Sequence, residues 1–205
     1  MSRTDVQLML DVKGGDEQSF ELLLQRYRTP VVNFLFRMVK SREQAEDLAQ
    51  EVFIRVYRAR EEYVPTAKFT TWLFRIATNL ALNSLRDHRH QKLEMSIDAP
   101  LTADSDEGDE RPFEVADKHP TIEQELVENE RKKMIRRAIE KLPEKQRAAV
   151  LLHKYQELDY AEIAKILSCS ESALKSLLFR GMAVTFSSLI ACGKVAPRSG
   201  LVALR

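Results

Sequence analysis

Between Glu94 and Asp117 the chain holds Glu94, Asp98, Asp104, Asp106, Glu107, Asp109, Glu110, Glu114 and Asp117 against one cation, Arg111. Pro100, Pro112 and Pro120 bracket the stretch. So much like charge beside so few apolar side chains cannot offset the entropy of ordering a backbone, so a flexible acidic linker is expected. This limits what can fold. Packing must occur within residues 1–93 and within residues 121–191, with 94–120 as the linker and 192–205 as a loose tail. A length of 205 residues suffices for two small domains. Glycine is scarce, with six in the whole chain, and apolar residues recur at helical spacing, so both blocks read as helical. The expected fold is all-α: two helical domains joined by the acidic linker.

Taken in order, Thr4 with Gln7 can cap a helix from Asp5 to Val12, stopped at Gly14-Gly15. Asp16 caps the next, with Phe20, Leu23, Leu24 and Tyr27 as its stripe. Pro30 is expected to interrupt that helix, and Val31, Phe34, Leu35 and Met38 carry the pattern on to about Val39. Ser41 with Gln44 opens a helix to about Arg60. Ala45, Leu48, Ala49, Val52, Phe53 and Val56 form its inner face, and an acidic, amide-rich rim lies outside. Tyr63 to Lys68, containing Pro65, is a loop. A long helix then starts at Thr70 or Thr71 and runs to about Leu93. In the second block, helices are expected from Ile122 to about Lys141 and from Pro143-Glu144 to about Tyr155.

DYAEIAKILSCSESALKSLLFR, Asp159 to Arg180, speaks most directly about function. Asp159 with Glu162 is a capping-box pattern, so a short helix starts at Tyr160 and presents Ile163, Ala164, Ile166 and Leu167 to a core. Ser168-Cys169-Ser170 reads as a tight turn, and a second helix begins near Glu171. Leu174, Leu177 and Leu178 point inward; Lys175, Ser176, Phe179 and Arg180 point outward. Two short helices with such a turn, the second basic and polar outside, describe a helix-turn-helix. An ordinary helical hairpin would show the same apolar spacing, and this stretch leaves both readings open.

Chemistry of other kinds finds little support. There is no glycine-rich phosphate loop, and His88, His90, His119 and His153 do not cluster with Cys169 or Cys192 as ligands or as a nucleophile with its base. Neither catalysis, nor a cofactor, nor a metal is expected. Two distant cysteines and no signal-like or membrane-spanning apolar run suit a reducing cytoplasm, without membrane insertion. Charge placement favours nucleic acid. Arg75, Arg86, Arg89 and Lys92 share a helix with Phe69, Trp72 and Phe74, and Asn79 and Asn83 lie four apart on one face. Cations, amides and aromatics in this order can track a strand and hold unstacked bases. Phe74 reads more simply as core; a solvated face remains the alternative for the arginines and asparagines. Arg131, Lys132, Lys133, Arg136, Arg137, Lys141, Lys145 and Arg147 form a second basic run, suited to phosphates beside a helix-turn-helix.

SREQAEDLAQEVFIRVYRA, then FTTWLFRIATNLALNSLRDHRH, and later LPEKQRAAVLLHKYQELDYAEIAKIL with LKSLLFR, resemble the extracytoplasmic-function (ECF) group of bacterial RNA polymerase sigma factors. The likeness covers about Asp5 to Arg180, with separate motifs in the family's order. By resemblance the N-terminal block is sigma region 2 and the C-terminal block region 4. The resemblance implies that Asp47, Leu48, Gln50, Glu51 and Phe53 dock on the clamp helices of the polymerase largest subunit, with region 4 on the flap. It implies that the loop from Tyr63 through Lys68 to Phe69 captures a flipped base of the promoter −10 element. Trp72, Arg75, Asn79, Asn83 and Arg86 then hold the separated strand. Melting driven by binding needs no nucleotide cofactor. Glu171, Ser172, Lys175, Ser176, Phe179 and Arg180 fall at the positions that read the −35 element.

By the same resemblance the acidic linker threads the polymerase RNA channel, and an anti-sigma factor is an expected partner. Ser172-Ala173-Leu174-Lys175-Ser176-Leu177 departs from the family's Gly-Thr-Val-Lys-Ser-Arg, so Leu177 removes a polar contact. GMAVTFSSLIACG after Arg180 is more apolar than the family pattern and suits a partner surface. Two other functions remain to be weighed: a stand-alone helix-turn-helix regulator, and a pure interaction protein with degenerate DNA contacts.

Overall fold

A computed structural model describes residues 3–95 and 122–191, and every regular element among them is an α-helix. The N-terminal half contains α1 (Asp5–Lys13), α2 (Glu17–Val39), α3 (Arg42–Arg58) and α4 (Phe69–Met95). The C-terminal half contains α5 (Ile122–Glu140), α6 (Glu144–Tyr155), α7 (Tyr160–Ile166) and α8 (Glu171–Ala191). The linker and tail expectations fall on residues 96–121 and 192–205, which lie outside the described residues. The apolar segment after Arg180 continues α8, and side chains beyond Ala183 are likewise outside the description.

Caps set the N-terminal half. Thr4, Asp16 and Ser41 each accept a backbone N–H, from Gln7, Gln18 and Gln44. Pro30 does not interrupt: α2 passes through it unbroken. Proline removes one hydrogen bond, but Leu23, Tyr27, Val31, Phe34, Leu35 and Met38 lie buried on one stripe, and their packing outweighs the loss. Lys40 ends the helix in the left-handed region at φ 70°. Against α2 pack α3, through Ala45, Ala49, Val52 and Val56, and α4, through Phe69, Leu73, Phe74, Ala77 and Ala81. The Phe34 and Phe74 rings meet edge to face, 5.5 Å between centroids.

In the C-terminal half, α7 begins with both arms of the capping box. The Asp159 carboxylate accepts the Glu162 N–H at 2.8 Å, and Glu162 accepts the Asp159 N–H at 3.0 Å. Ala164, Leu174 and Leu178 are buried between α7 and α8. Ser168 adopts φ 51° in the turn, the left-handed geometry that favours glycine. Ser168→Gly is therefore expected to raise stability. The cost of about 1 kcal/mol for that conformation is partly offset by glycine's freedom when unfolded, leaving about 0.5 kcal/mol. A thermal melt checks this; a lower midpoint would assign Ser168 a contact of its own. Gly181 sits buried where α8 crosses α6, and a Cβ there would stand 2.9 Å from Val150 Cγ2.

The two halves are not apart. One hydrophobic cluster runs through both, with α6 lying on α2 and α7 on α4. Polar contacts stitch the junction. Arg147, 7% exposed, donates to the Met38 carbonyl at 2.6 Å, and also to Glu140 O at 2.8 Å and Leu142 O at 3.2 Å. Arg89 pairs with Glu144, and the Arg37 guanidinium lies 4.0 Å above the Tyr155 ring. Thr71 donates to Glu162 at 3.1 Å, and Lys68 Nζ lies 3.0 Å from the same carboxylate.

Candidate nucleic-acid and polymerase interface

Three separate surfaces hold the residues marked in the sequence. On α3, Asp47 and Gln50 are exposed and Glu51 is half-buried, three and four residues apart and so on one face. Glu51 accepts from Arg55 at 2.6 Å. Leu48 is half-buried against the core, and Phe53 is buried at 6% exposure. Phe53 therefore belongs to the hydrophobic core of the bundle, and any part it has in docking would be to support the outer face of α3 from beneath. Ile54, not marked in the sequence, stands exposed on the acidic face instead. Its outward position seven residues after Asp47 was the available signal.

The second surface is α4 and the loop before it. Arg75, Asn79, Asn83 and Arg86 are all exposed, and Arg86 donates to Asn83 at 3.3 Å. Trp72 is half-buried, tilted against Tyr63 at 5.1 Å and Phe69 at 6.0 Å between ring centroids. Tyr63 and Phe69, at the two ends of the loop expected to capture a base, are buried, at 4% and 2% exposure. Phe69 packs on Tyr27 of α2, and burial raises the pKa of the Tyr63 hydroxyl. The loop tip offers Val64 to solvent at 62% exposure, with Thr66 N–H donating back to its carbonyl at 2.8 Å. Lys68 is exposed but engaged: its hydrogen bond to Glu162 and that carboxylate's charge raise its pKa above the ordinary lysine value.

The third surface is the outer face of α8. Glu171, Ser172, Lys175, Ser176, Phe179 and Arg180 are all exposed, while Leu174 and Leu178 anchor the helix from beneath. Ser170 Oγ accepts the Ala173 N–H at 3.2 Å and so caps the start of α8. Phe179 is 65% exposed, a large apolar side chain beside the polar Lys175, Ser176 and Arg180. Leu177 is half-buried, so its replacement of a polar residue partly joins the core.

Arg147 corrects the basic-run reading. It was grouped with phosphate-neutralising cations, yet its guanidinium is buried and spent on three backbone carbonyls. Two of those carbonyls, Met38 and Glu140, lie in the last turns of α2 and α5, where a cation is favoured. Burial lowers its pKa from the ordinary arginine value. Lys132, Lys133, Arg137, Lys141 and Lys145 of the same run are exposed. Among the described residues no group of three His, Cys, Asp or Glu could hold a metal ion, and no helix is long and apolar enough to cross a membrane.

Comparison with known proteins adds an independent line. The Sigma-70 region 2 family matches residues 23–91, and the Sigma-70 region 4 family matches residues 132–183. The ECF RNA polymerase sigma-E factor of Escherichia coli K12 is 34% identical over 177 residues, 86% of this chain and 90% of that protein. The RNA polymerase sigma-H factor of Pseudomonas aeruginosa is 31% identical over 176 residues, 86% of this chain and 89% of that one. Among solved structures, sigma factor RpoE from Bartonella quintana, in complex with the anti-sigma factor NepR, has TM-score 0.63 at 18% identity, covering 84% of this chain and 98% of that one. CnrH in complex with the cytosolic domain of CnrY has TM-score 0.62 at 18% identity, covering 90% of this chain and 96% of that one. With both regions matched in order on an all-helical fold, the chain belongs to the sigma-70 family, in its ECF group of RNA polymerase sigma factors.

Proposed function

We propose that this chain is a dissociable promoter-specificity subunit that mounts on core RNA polymerase, recognises −35 and −10 elements and opens the DNA between them and the start site. Residues 1–93 act as region 2, residues 121–191 as region 4, residues 94–120 as the acidic connector and residues 192–205 as a tail. The observation that supports this most is the separation of three surfaces of different chemistry on one chain. The carboxylate and amide face of α3 suits a protein partner carrying cations, the polymerase clamp helices. The Arg75, Asn79, Asn83 and Arg86 face of α4 suits a single strand, and the outer face of α8 suits a major groove. Sigma factors are initiation subunits without catalysis of their own, and this chain needs no cofactor for binding-driven melting. A cytoplasmic location follows from that role. An anti-sigma factor is its proposed regulator, because the sigma factor RpoE, which shares its fold, was solved in complex with one.

Run-off transcription with purified core polymerase on a fragmented genomic library tests the reading. Polymerase-dependent initiation at discrete sites is expected. A shift of duplex DNA by the chain alone, with no initiation, would instead identify a stand-alone helix-turn-helix regulator. Within the proposal, Arg180→Ala is expected to weaken −35 recognition by about 1–3 kcal/mol, roughly 5- to 150-fold, for a bidentate contact to guanine. Band shifts of holoenzyme on wild-type and −35-scrambled promoters measure it; equal losses on both would make Arg180 a phosphate contact.

A further inference from the structure

Glu162 does two things at once. Its Oε2 accepts the Asp159 N–H at 3.0 Å and completes the cap of α7. Its Oε1 reaches across to the other half, where Thr71 Oγ1 donates to it at 3.1 Å and Lys68 Nζ stands 3.0 Å away. A glutamine at this position would cap as well. The negative charge favours the start of α7 modestly, and across the junction it meets Lys68.

An ammonium and a hydroxyl converging on one anionic oxygen are also suitable partners for a phosphodiester oxygen. Their position fits that ligand. Lys68 precedes α4 and Thr71 lies in its first turn, on the helix whose exposed face presents Arg75, Asn79, Asn83 and Arg86. We propose that Lys68 and Thr71 form a binding site for a backbone phosphate of the separated promoter strand, and that in the free chain the Glu162 carboxylate of region 4 occupies it. This rests on the reading of α4 as the strand-holding helix and adds a phosphate ligand for Thr71 and a competitor built into the same chain.

The dimensions of a promoter require that competitor to leave. Elements centred 35 and 10 base pairs upstream lie about 25 base pairs apart, or ~85 Å at 3.4 Å per step. Two halves in hydrogen-bond contact cannot hold both elements at once. The 26 residues at 96–121 can reach at most ~90 Å when extended, which is enough to span that distance. Release is feasible because Lys68 is 69% exposed, so water and salt weaken its pairing with Glu162. Separation of the halves and exposure of the phosphate site are then one event.

The test uses the full-length chain and a fluorescein-labelled single-stranded DNA 12-mer of random sequence, followed by anisotropy over a salt series, with small-angle scattering for compactness. Glu162→Gln keeps the capping acceptor while removing the charge. Tyr155→Ala removes the ring beneath Arg37, at another part of the junction, without changing charge. Both variants should be more extended and bind about 3- to 10-fold tighter than wild type. For Glu162→Gln the slope of log affinity on log salt should steepen by about 0.7, one added phosphate contact on a single strand. Adding Thr71→Val should take back part of the gain. Extended variants with unchanged affinity overturn the proposal, as do variants unchanged in both size and affinity. A tighter Glu162→Gln whose slope is unchanged and which ignores Thr71→Val overturns it as well. Run-off transcription with the same wild-type preparation separates the two readings. Initiation with flat anisotropy removes only the phosphate site, whereas tighter binding without initiation removes the sigma-factor function and leaves the site standing.

Discussion

A chain carrying Asp47→Lys and Glu51→Lys is expected to bind core polymerase at least ~100-fold more weakly than wild type while folding normally. Both carboxylates lie on the outer face of α3, and neither belongs to the core. Among the described residues the contact disturbed is the Glu51–Arg55 pair, whose partners are 38% and 52% exposed. A surface pair one helical turn apart contributes about 0.3–0.5 kcal/mol, so the fold barely registers its loss. At an interface the balance differs. Reversing a charge sets like against like and costs several kcal/mol, and two such reversals need supply only ~1.4 kcal/mol each to reach ~100-fold. Titration of labelled chain with core polymerase, alongside circular dichroism, measures both halves of the statement. Undiminished affinity would move the docking face away from α3.

Arg147→Ala is expected to remove about 3 kcal/mol of stability, a loss far larger than an exposed cation would give. Its guanidinium serves three carbonyls that end α2, α5 and the turn after α5. Hydrogen bonds with a charged donor contribute about 1.5–3 kcal/mol where the carbonyls would otherwise stay buried and unpaired. Opening of the junction lets water reach some of them, which brings the total below the sum of three such bonds. Arg147→Lys should recover less than half, because an ammonium cannot fork between carbonyls on two helices. Urea denaturation followed by circular dichroism gives the figures. A loss below about 1 kcal/mol would mean that water replaces the guanidinium at little cost.

The helices were legible because their signals are local. Capping pairs such as Ser41 with Gln44 and Asp159 with Glu162, and stripes such as Val31, Phe34, Leu35 and Met38, lie within a few residues of one another. Pro30 misled because its cost is local whereas the burial that outweighs it is tertiary. Motif position alone could not distinguish Trp72, which reaches the surface, from Tyr63, Phe69 and Phe53, which do not. Each fits the family pattern equally well, and only the packing of α2 against α3 and α4 decides which ring meets water. The least legible feature was the junction between halves. Thr71 and Glu162 are 91 residues apart, Glu162 was already accounted for by its cap, and Arg147 looked like one more cation in a basic run. No periodicity announces a contact made by single polar side chains across a long insertion.

Gly181 has a bearing on how closely α8 can seat on α6. Because no Cβ lies between α8 and Val150, the helix rests directly on α6, immediately beside Arg180. Lys175 stands six residues earlier, ~9 Å along the same axis at 1.5 Å per residue. Any wider packing at position 181 would lift or tilt this rod, changing the reach of Lys175 and Arg180 together. A residue with no side chain thus acts as the fulcrum for two exposed cations on the same helix, and adjusting it would shift both without replacing either.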